Sequence, residues 1–364
     1  MRWMWALCLA LLLCVVPARA VSTDQILEGQ EDALGIEEME REAEQQGGSA
    51  VYGESLDEGL QSLVETGKGE MFGIVRAGVR SATILFVILL LCGLAQTVYD
   101  AGGGNEIPVV SLAGALAVTV AAVADMSSLL GLGCTAMERM TAFATVLLPV
   151  VAGATAATGA IAGAAARQMA AAGFSSLLMN VIQRVLLPMV YGYVAASVAW
   201  AALGNPGLKQ MAGWLKWVAT SVLVVLMMVF VGYLSMSGVV SGSVDAMSMK
   251  VAKFAISGAI PVVGGILSDA SETILASAGI LRSSVGVFGM VTILGICLVP
   301  VLQLLVHYLL YKLVAALAAT MGQSRVCGLV EQIGGAFGLI MGMTGACALL
   351  LLVTLVSSVS AVTG

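Results

Sequence analysis

The chain has 364 residues, of which 59% are hydrophobic and only 10% are charged, and its formal net charge at pH 7 is −6. Soluble domains are typically about 45–50% apolar and about 25% charged, whereas the mean hydropathy here is +1.01. A water-soluble globular fold of this size is therefore excluded, and lipid is predicted to surround most of the chain.

The first twenty residues have the pattern of a secretory signal peptide. Arg2 precedes an apolar run over residues 3–16, and Ala18-x-Ala20 follows it. The run is too short to span a bilayer comfortably, and small residues at these positions suit signal peptidase. We predict cleavage after Ala20, which places the mature N-terminus outside the cytoplasm; an uncleaved anchor is the alternative.

Residues 21–80 are predicted to form an acidic extracytoplasmic head with an amphipathic lead-in. The acidic residues of the chain are concentrated here, and no basic face suited to nucleic acid is present. Residues 21–53 read as a solvated linker or a weak helix. Leu56, Leu60, Leu63 and Val64 are spaced to form one apolar stripe on a short helix before the first span.

Residues 81–364 are predicted to form an all-α polytopic membrane domain with about seven transmembrane helices. Each apolar segment is long enough to cross about 30 Å of hydrocarbon. The segments are 81–99, 108–124, 141–163, 174–203, 217–236, 285–311 and 335–362. The charged residues near their ends are interpreted as loop charges, namely Asp125, Glu138, Arg139 and Arg167.

Residues 251–280 differ from the other segments and are predicted to form a broken or re-entrant element. The apolar pieces are short, and they are interrupted at Pro261, Gly264, Gly265 and Asp269. Irregular backbone at membrane depth must be buried in protein or face water.

An internal repeat is a further hypothesis, with copies at residues 129–240 and 241–352. Pro149 and Pro261 are 112 residues apart, and Pro188 and Pro300 have the same offset. Copies of three spans each would be inverted relative to each other, as in many transporters. Chance recurrence in a chain of low complexity is the alternative.

Three polar residues, Asn180, Gln183 and Arg184, lie inside the fourth apolar segment, just before Pro188. A charge at that depth is expected to face protein or a water-filled cavity. The group is therefore a candidate polar lining of a conduit or a subunit contact. The alternative is that two half-length elements meet near Pro188 and Arg184 snorkels to an interface.

Recognisable catalytic or metal-binding patterns are absent from the sequence. It contains no phosphate-binding loop, metalloprotease helix or nucleophile elbow. His307 is the single histidine, and a partly buried helix residue bonding to another helix is the expectation. We predict no enzymatic activity, no cofactor and no metal.

Loop orientation conflicts with the predicted span count. With the head outside and seven spans, seven of the eleven basic residues near segment ends fall outside, including Lys209, Lys216 and Lys312. The positive-inside rule predicts the reverse. Either one counted segment does not cross, or the rule is overridden.

The stretch from Lys253 to Ser257, KFAIS, continues from Ile260 to Ala270 as IPVVGGILSDA, and residues 148–153 read LPVVAG. With the signal, the acidic head and the Gly/Ala-rich body, these motifs resemble the stage III sporulation protein AE family of endospore-forming Firmicutes. The resemblance implies a mother-cell membrane component of a channel complex, which meets forespore protein Q between the two membranes. The family has no established catalytic residues.

The resulting hypothesis is a non-enzymatic membrane subunit of the mother cell–forespore channel complex, acting as a platform or an export-gate-like conduit component. It would lie in the mother-cell membrane around the forespore, with its head in the intermembrane space and other mother-cell channel subunits as partners. The alternative is a stand-alone secondary transporter with an inverted repeat.

Overall fold

The computed structural model describes residues 31–48, 50–101, 109–157, 173–174, 176–230, 264–320 and 324–360, and these contain helices and turns but no strand. A short helix is followed by six helices that are long and apolar enough to cross a membrane. The predicted all-α polytopic fold is therefore confirmed, while residues 1–20 lie outside the described residues. The helices are α1 Ile36–Gln45, α2 Leu56–Ala101, α3 Val109–Ala157, α4 Ser176–Leu203, α5 Pro206–Phe230, α6 Gly264–Ala319 and α7 Ser324–Ser360.

The described residues of two predicted segments, 109–124 of the second and 141–157 of the third, belong to the single helix α3. This helix has 49 residues and is therefore about 70 Å long. Buried apolar residues continue at helical spacing through the charged stretch, as Leu129, Leu130, Met137 and Met140 show. That continuity favours one helix over a loop. The described residues thus contain six candidate spans, and the predicted loop charges at 125, 138 and 139 are helical.

The α6–α7 hairpin forms the centre of the bundle. Helix α6 also packs against α2 and α3, and α7 packs against α3 and α4. Gly334 and Gly338 on α7 lie against Tyr311 and Tyr308 on α6, where a Cβ would be 3.0 and 3.2 Å from the tyrosine carbons. Small residues at this spacing let two helices approach closely in lipid.

Helices α2 and α6 run parallel, and glycines form much of their contact. A Cβ at Gly59 would lie 2.7 Å from a Val291 methyl, and one at Gly78 would lie 2.8 Å from a Leu310 methyl. Of the predicted apolar stripe, Leu63 is buried, whereas Leu56, Leu60 and Val64 are exposed, and all four lie in the first turns of the long helix α2 and not on a separate short helix. The glycines provide the contact with α6 because small residues allow a closer helix approach.

The described residues of the head contain a helix, which is the second of the two alternatives predicted for residues 21–53. Helix α1 packs against α3, and it buries Ile36, Met39 and Ala43. The Tyr52 ring contacts Phe288 on α6 edge-on, with 6.1 Å between centroids. Burial, and then the nearby Glu31 carboxylate, raise the pKa of the Tyr52 phenol above its ordinary value. Tyr52 precedes the candidate spans. We name the end of the bundle that contains α1 and Tyr52 the head end.

The opposite end of the bundle, the turn end, contains the α4–α5 turn at Gly204 and the α6–α7 turn that begins at Thr320. Helix residues near both turns line one cavity. Near the same end, a Cβ at Gly114 of α3 would lie 2.9 Å from Cys92 of α2 and 3.3 Å from Val326 of α7. Helix α2 therefore connects the two ends.

The two hairpins α4–α5 and α6–α7 have the same orientation, because both turns are at the turn end. An inverted relation, expected from the repeat, is not seen for these hairpins. Of the predicted broken element, Pro261 lies outside the described residues. Gly264, Gly265 and Asp269 are in α6, which begins at Gly264 and is continuous to Ala319.

Candidate functional site

A carboxylate lies between three helices in the interior of the bundle. Asp125 is on α3, between the ends of a candidate span that covers Leu112–Ala154. Ser81 on α2 donates a hydrogen bond from Oγ to Asp125 Oδ2. Tyr311 on α6 donates from its hydroxyl to the same oxygen, at 2.8 Å. We name these three residues the carboxylate junction.

Burial makes the junction energetically important. Tyr311 is fully buried, with 0% exposure, and its ring meets Phe337 edge-on with 5.0 Å between centroids. A buried hydroxyl needs an acceptor, and a carboxylate in an apolar bundle needs donors. The hydrogen bonds from Tyr311 and Ser81 to Asp125 meet both needs. The junction can therefore hold α2, α3 and α6 together.

His307 is one turn before Tyr311 on α6 and is 8% exposed. Its Nδ1 lies 2.8 Å from the carbonyl oxygen of Gln303, and since a carbonyl only accepts, Nδ1 must carry the proton. The expected hydrogen bond to another helix was wrong, because this bond is within α6. Among the residues that the structure describes, no group of His, Cys, Asp and Glu could hold a metal ion.

The predicted polar group at Asn180, Gln183 and Arg184 lies at an irregular turn of α4. Residues Ile182–Leu186 form a π-helical turn just before Pro188. Proline lacks the N–H that would continue the α-helical hydrogen bonds, and the π-helical turn accommodates this. Such turns are frequent at functional sites.

All three residues of this polar turn are exposed in the isolated chain. Asn180 Nδ2 donates to the Ser176 carbonyl, 2.8 Å away. Gln183 Nε2 donates to Glu138 Oε1 of α3, 3.2 Å away. The structure therefore brings Gln183 to α3 and leaves Arg184 on the outer surface, where it can contact lipid or another subunit.

The polar turn and the carboxylate junction are separate. Glu138, which contacts the turn, is 13 residues from Asp125 along α3, about 20 Å. Sequence reasoning missed Asp125 because it assigned this residue to a loop. The signal that could have found it is the helical spacing of Leu129, Leu130 and Met137 beyond it.

Comparison with known proteins gives two matches. The profile of the family described as "Stage III sporulation protein AE (spore_III_AE)" matches residues 53–362. A curated relative, "Stage III sporulation protein AE" of Bacillus subtilis (strain 168), is 23% identical over 198 residues, which are 54% of this chain and 50% of the relative. The matched region thus spans about half the length of that relative. No solved structure matches the chain significantly.

Proposed function

Because the chain belongs to the stage III sporulation protein AE family, we propose that it is a non-enzymatic membrane subunit of the mother cell–forespore channel complex. In this proposal the docked head is a platform for the other mother-cell channel subunits and, through the complex, for forespore protein Q. The observation that carries it is the position of α1, which is packed on the membrane bundle instead of lying on a free linker.

The head presents an acidic surface to a partner. Helix α1 buries Ile36, Met39 and Ala43 against the bundle. Glu37, Glu38 and Glu44 on α1 are exposed, as is Asp32 just before it. Complementary charge on the partner would direct association and fix its orientation. Because α1 packs on α3, a partner bound to this acidic surface would be positioned relative to the membrane helices.

The orientation in the proposal has the head in the intermembrane space and the turn end in the mother-cell cytoplasm. Lys209, Lys216, Lys312 and Arg325 lie near the turn end, in or next to its cavity or turns. With Val109–Ala157 as one crossing helix instead of two, these four residues move from the outer to the cytoplasmic side, where the positive-inside rule favours basic residues. The conflict with the rule is reduced at the turn end and not removed, because Arg76, Arg80 and Arg139 stay on the side of the head.

A stand-alone secondary transporter is the second candidate. The carboxylate junction favours it, since ionisable residues at membrane depth often serve proton or ion pathways. The hairpins α4–α5 and α6–α7 do not support it, because they are parallel and the hypothesis rested on inverted copies.

The test is affinity purification of the full chain from the sporulating native host, followed by identification of the proteins retained. The proposal expects the other mother-cell channel subunits, and expects Glu37→Lys/Glu38→Lys to lose them. The matched control Glu65→Lys/Glu70→Lys changes the same charge on exposed sites of α2 and should retain them. Purification without these subunits, together with solute uptake by proteoliposomes of the chain alone, would support the transporter instead.

A further inference from the structure

A cavity of about 500 Å³ opens at the turn end between helices α4, α5, α6 and α7. Trp200, Lys209, Lys312, Glu331 and Gln332 provide its polar and aromatic lining. The remaining lining residues are small, so the space between these groups is not filled by protein. Its volume is in the usual range for sites that bind small molecules.

The charges around the cavity are mainly positive. Lys312 Nζ lies 2.8 Å from Glu331 Oε1, while Lys209 and Lys216 are close enough to interact electrostatically with the same carboxylate. Three lysines around one carboxylate leave a formal excess of two positive charges. Among the described residues, neither Lys209 nor Lys216 has a carboxylate at salt-bridge distance, so their charge is available to a ligand.

Neighbouring groups position Lys209 in the cavity lining and Lys216 outside the lining, beside the next turn of α7. Lys209 Nζ lies 4.9 Å from the centroid of the Trp200 ring, over its face, in a cation–π arrangement. Lys216 Nζ lies beside Gly335, where a Cβ would be 3.2 Å away. A side chain larger than glycine would therefore crowd the ammonium group.

Two further observations indicate a hydrogen-bonding ligand. Gln332 Oε1 is buried and has no hydrogen-bond partner among the described residues, although such atoms are normally paired. Cys327 and Gly328 line the cavity from the first turns of α7, which begins at Ser324. The N-terminal end of a helix carries partial positive charge, which favours anions.

We propose that this cavity binds a phosphate group, either as the headgroup of an anionic phospholipid or as free phosphate. Lysine ammonium groups and helix N-termini bind phosphate, and a protonated phosphate oxygen or a headgroup hydroxyl can donate to Gln332. Basic pockets between transmembrane helices near a membrane surface bind anionic headgroups. Exposed Trp214 and Trp217 on α5 are typical of that level.

The test uses the purified full chain in a non-ionic detergent, with three probes in separate titrations: dioleoyl phosphatidylglycerol, dioleoyl phosphatidylcholine and inorganic phosphate. Native mass spectrometry measures lipid binding, and equilibrium dialysis with radiolabelled phosphate measures free phosphate. Binding of phosphatidylglycerol in preference to phosphatidylcholine identifies a lipid headgroup as the ligand. Binding of inorganic phosphate at similar affinity identifies free phosphate. No preference and no phosphate binding would overturn the proposal.

Variants localise the binding. Lys209→Gln/Lys216→Gln should weaken it by on the order of tenfold, because each lysine near a membrane surface contributes substantially to anion binding. Lys209→Arg/Lys216→Arg should retain it. Lys68→Gln/Arg76→Gln makes the same charge change on exposed sites of α2 and should also retain it. Equal loss in this control would place the binding elsewhere.

A variant that fills the cavity without changing charge gives a second test. Ala319 lines the cavity and is exposed, so Ala319→Phe can occupy the space without a buried clash. It should reduce binding while the melting temperature stays near that of the parent chain. Unchanged binding in both Ala319→Phe and the lysine-to-glutamine variant would overturn the proposal.

Discussion

Tyr311 donates a 2.8 Å hydrogen bond to Asp125 across 186 residues of sequence. With Ser81 donating to the same oxygen, the two hydrogen bonds join α2, α3 and α6. They connect elements that are distant in the chain, and the first prediction tests their energetic weight.

Removing either partner should destabilise the chain. Asp125→Ala leaves the Tyr311 hydroxyl buried without its acceptor, which costs about 1–3 kcal/mol. Tyr311→Phe removes a hydrogen bond to a charged group, about 1.5–3 kcal/mol. Thermal unfolding in detergent should show that the double variant loses less than the sum of the two single losses. Glu65→Ala, at an exposed site, is the control, and additive losses would show that the pair is not coupled.

Two glycines on α3 offer a matched comparison of helix packing. A Cβ at Gly133 would overlap the Ile340 side chain of α7, whereas one at Gly131 would have no described atom within 4 Å. Gly131→Ala should therefore stabilise the helix by up to about 1 kcal/mol. Gly133→Ala should destabilise the bundle by about 1–3 kcal/mol, as overpacking does. Melting temperatures that shift in the same direction would contradict this α3–α7 contact.

Docking of the head should depend on Met39, which is 0% exposed. Met39→Ala is expected to cost about 2–5 kcal/mol locally, the range for large-to-small core changes. Limited proteolysis should then cleave the head faster, while Glu38→Ala, at an exposed position, behaves like the parent chain. Equal cleavage of the Met39→Ala variant, the Glu38→Ala variant and the parent chain would argue against docking.

Deleting residues 21–53 should leave membrane insertion intact.

Variants in the polar turn of α4 can distinguish an effect on the stability of the chain from an effect on contact with another subunit. Arg184 is exposed, so Arg184→Leu should change the free energy of unfolding by no more than about 0.5 kcal/mol. If Arg184 contacts another subunit, the same variant should lower spore yield. Gln183→Leu should instead cost about 0.5–1.5 kcal/mol, because it removes the hydrogen bond to Glu138. Normal spore yield with Arg184→Leu would exclude an essential contact at this residue.

Labelling of single introduced cysteines at the two turns measures the membrane topology of the chain. Asn205→Cys and Thr320→Cys should react with a membrane-impermeant maleimide from the same side, since both turns are at the turn end. Val51→Cys, at an exposed head position, should react from the opposite side. The chain without these additions measures background from the native cysteines. Labelling of the two turns from opposite sides would contradict the parallel hairpins.

Much of the fold could be predicted from apolar length alone. The segments at 174–203, 285–311 and 335–362 coincide with parts of α4, α6 and α7, because about 20 consecutive apolar residues suffice to mark a span. The number of crossings could not be predicted in this way. Local composition around Asp125 suggests a loop, and only burial of its helical neighbours against other helices shows that α3 continues.

Of the candidate sites, one was predicted from the sequence and two were found only in the structure. Asn180, Gln183 and Arg184 were found because polar residues are conspicuous in an apolar run. The carboxylate junction and the turn-end cavity were not found, since each joins residues that are far apart in sequence. Lys209 is on α5 and Glu331 is on α7, for example, and they lie near each other only because the two hairpins pack side by side.

By itself, the sequence determined the solvent of this protein, its helical class and its family, because hydropathy and local motifs are properties of short segments. The tertiary structure decided which face of α2 is buried, that the head docks on the bundle, and which polar groups meet. The physical reason is that helix packing in lipid depends on close contact and hydrogen bonding between distant segments, and neither is encoded in the spacing of neighbouring residues.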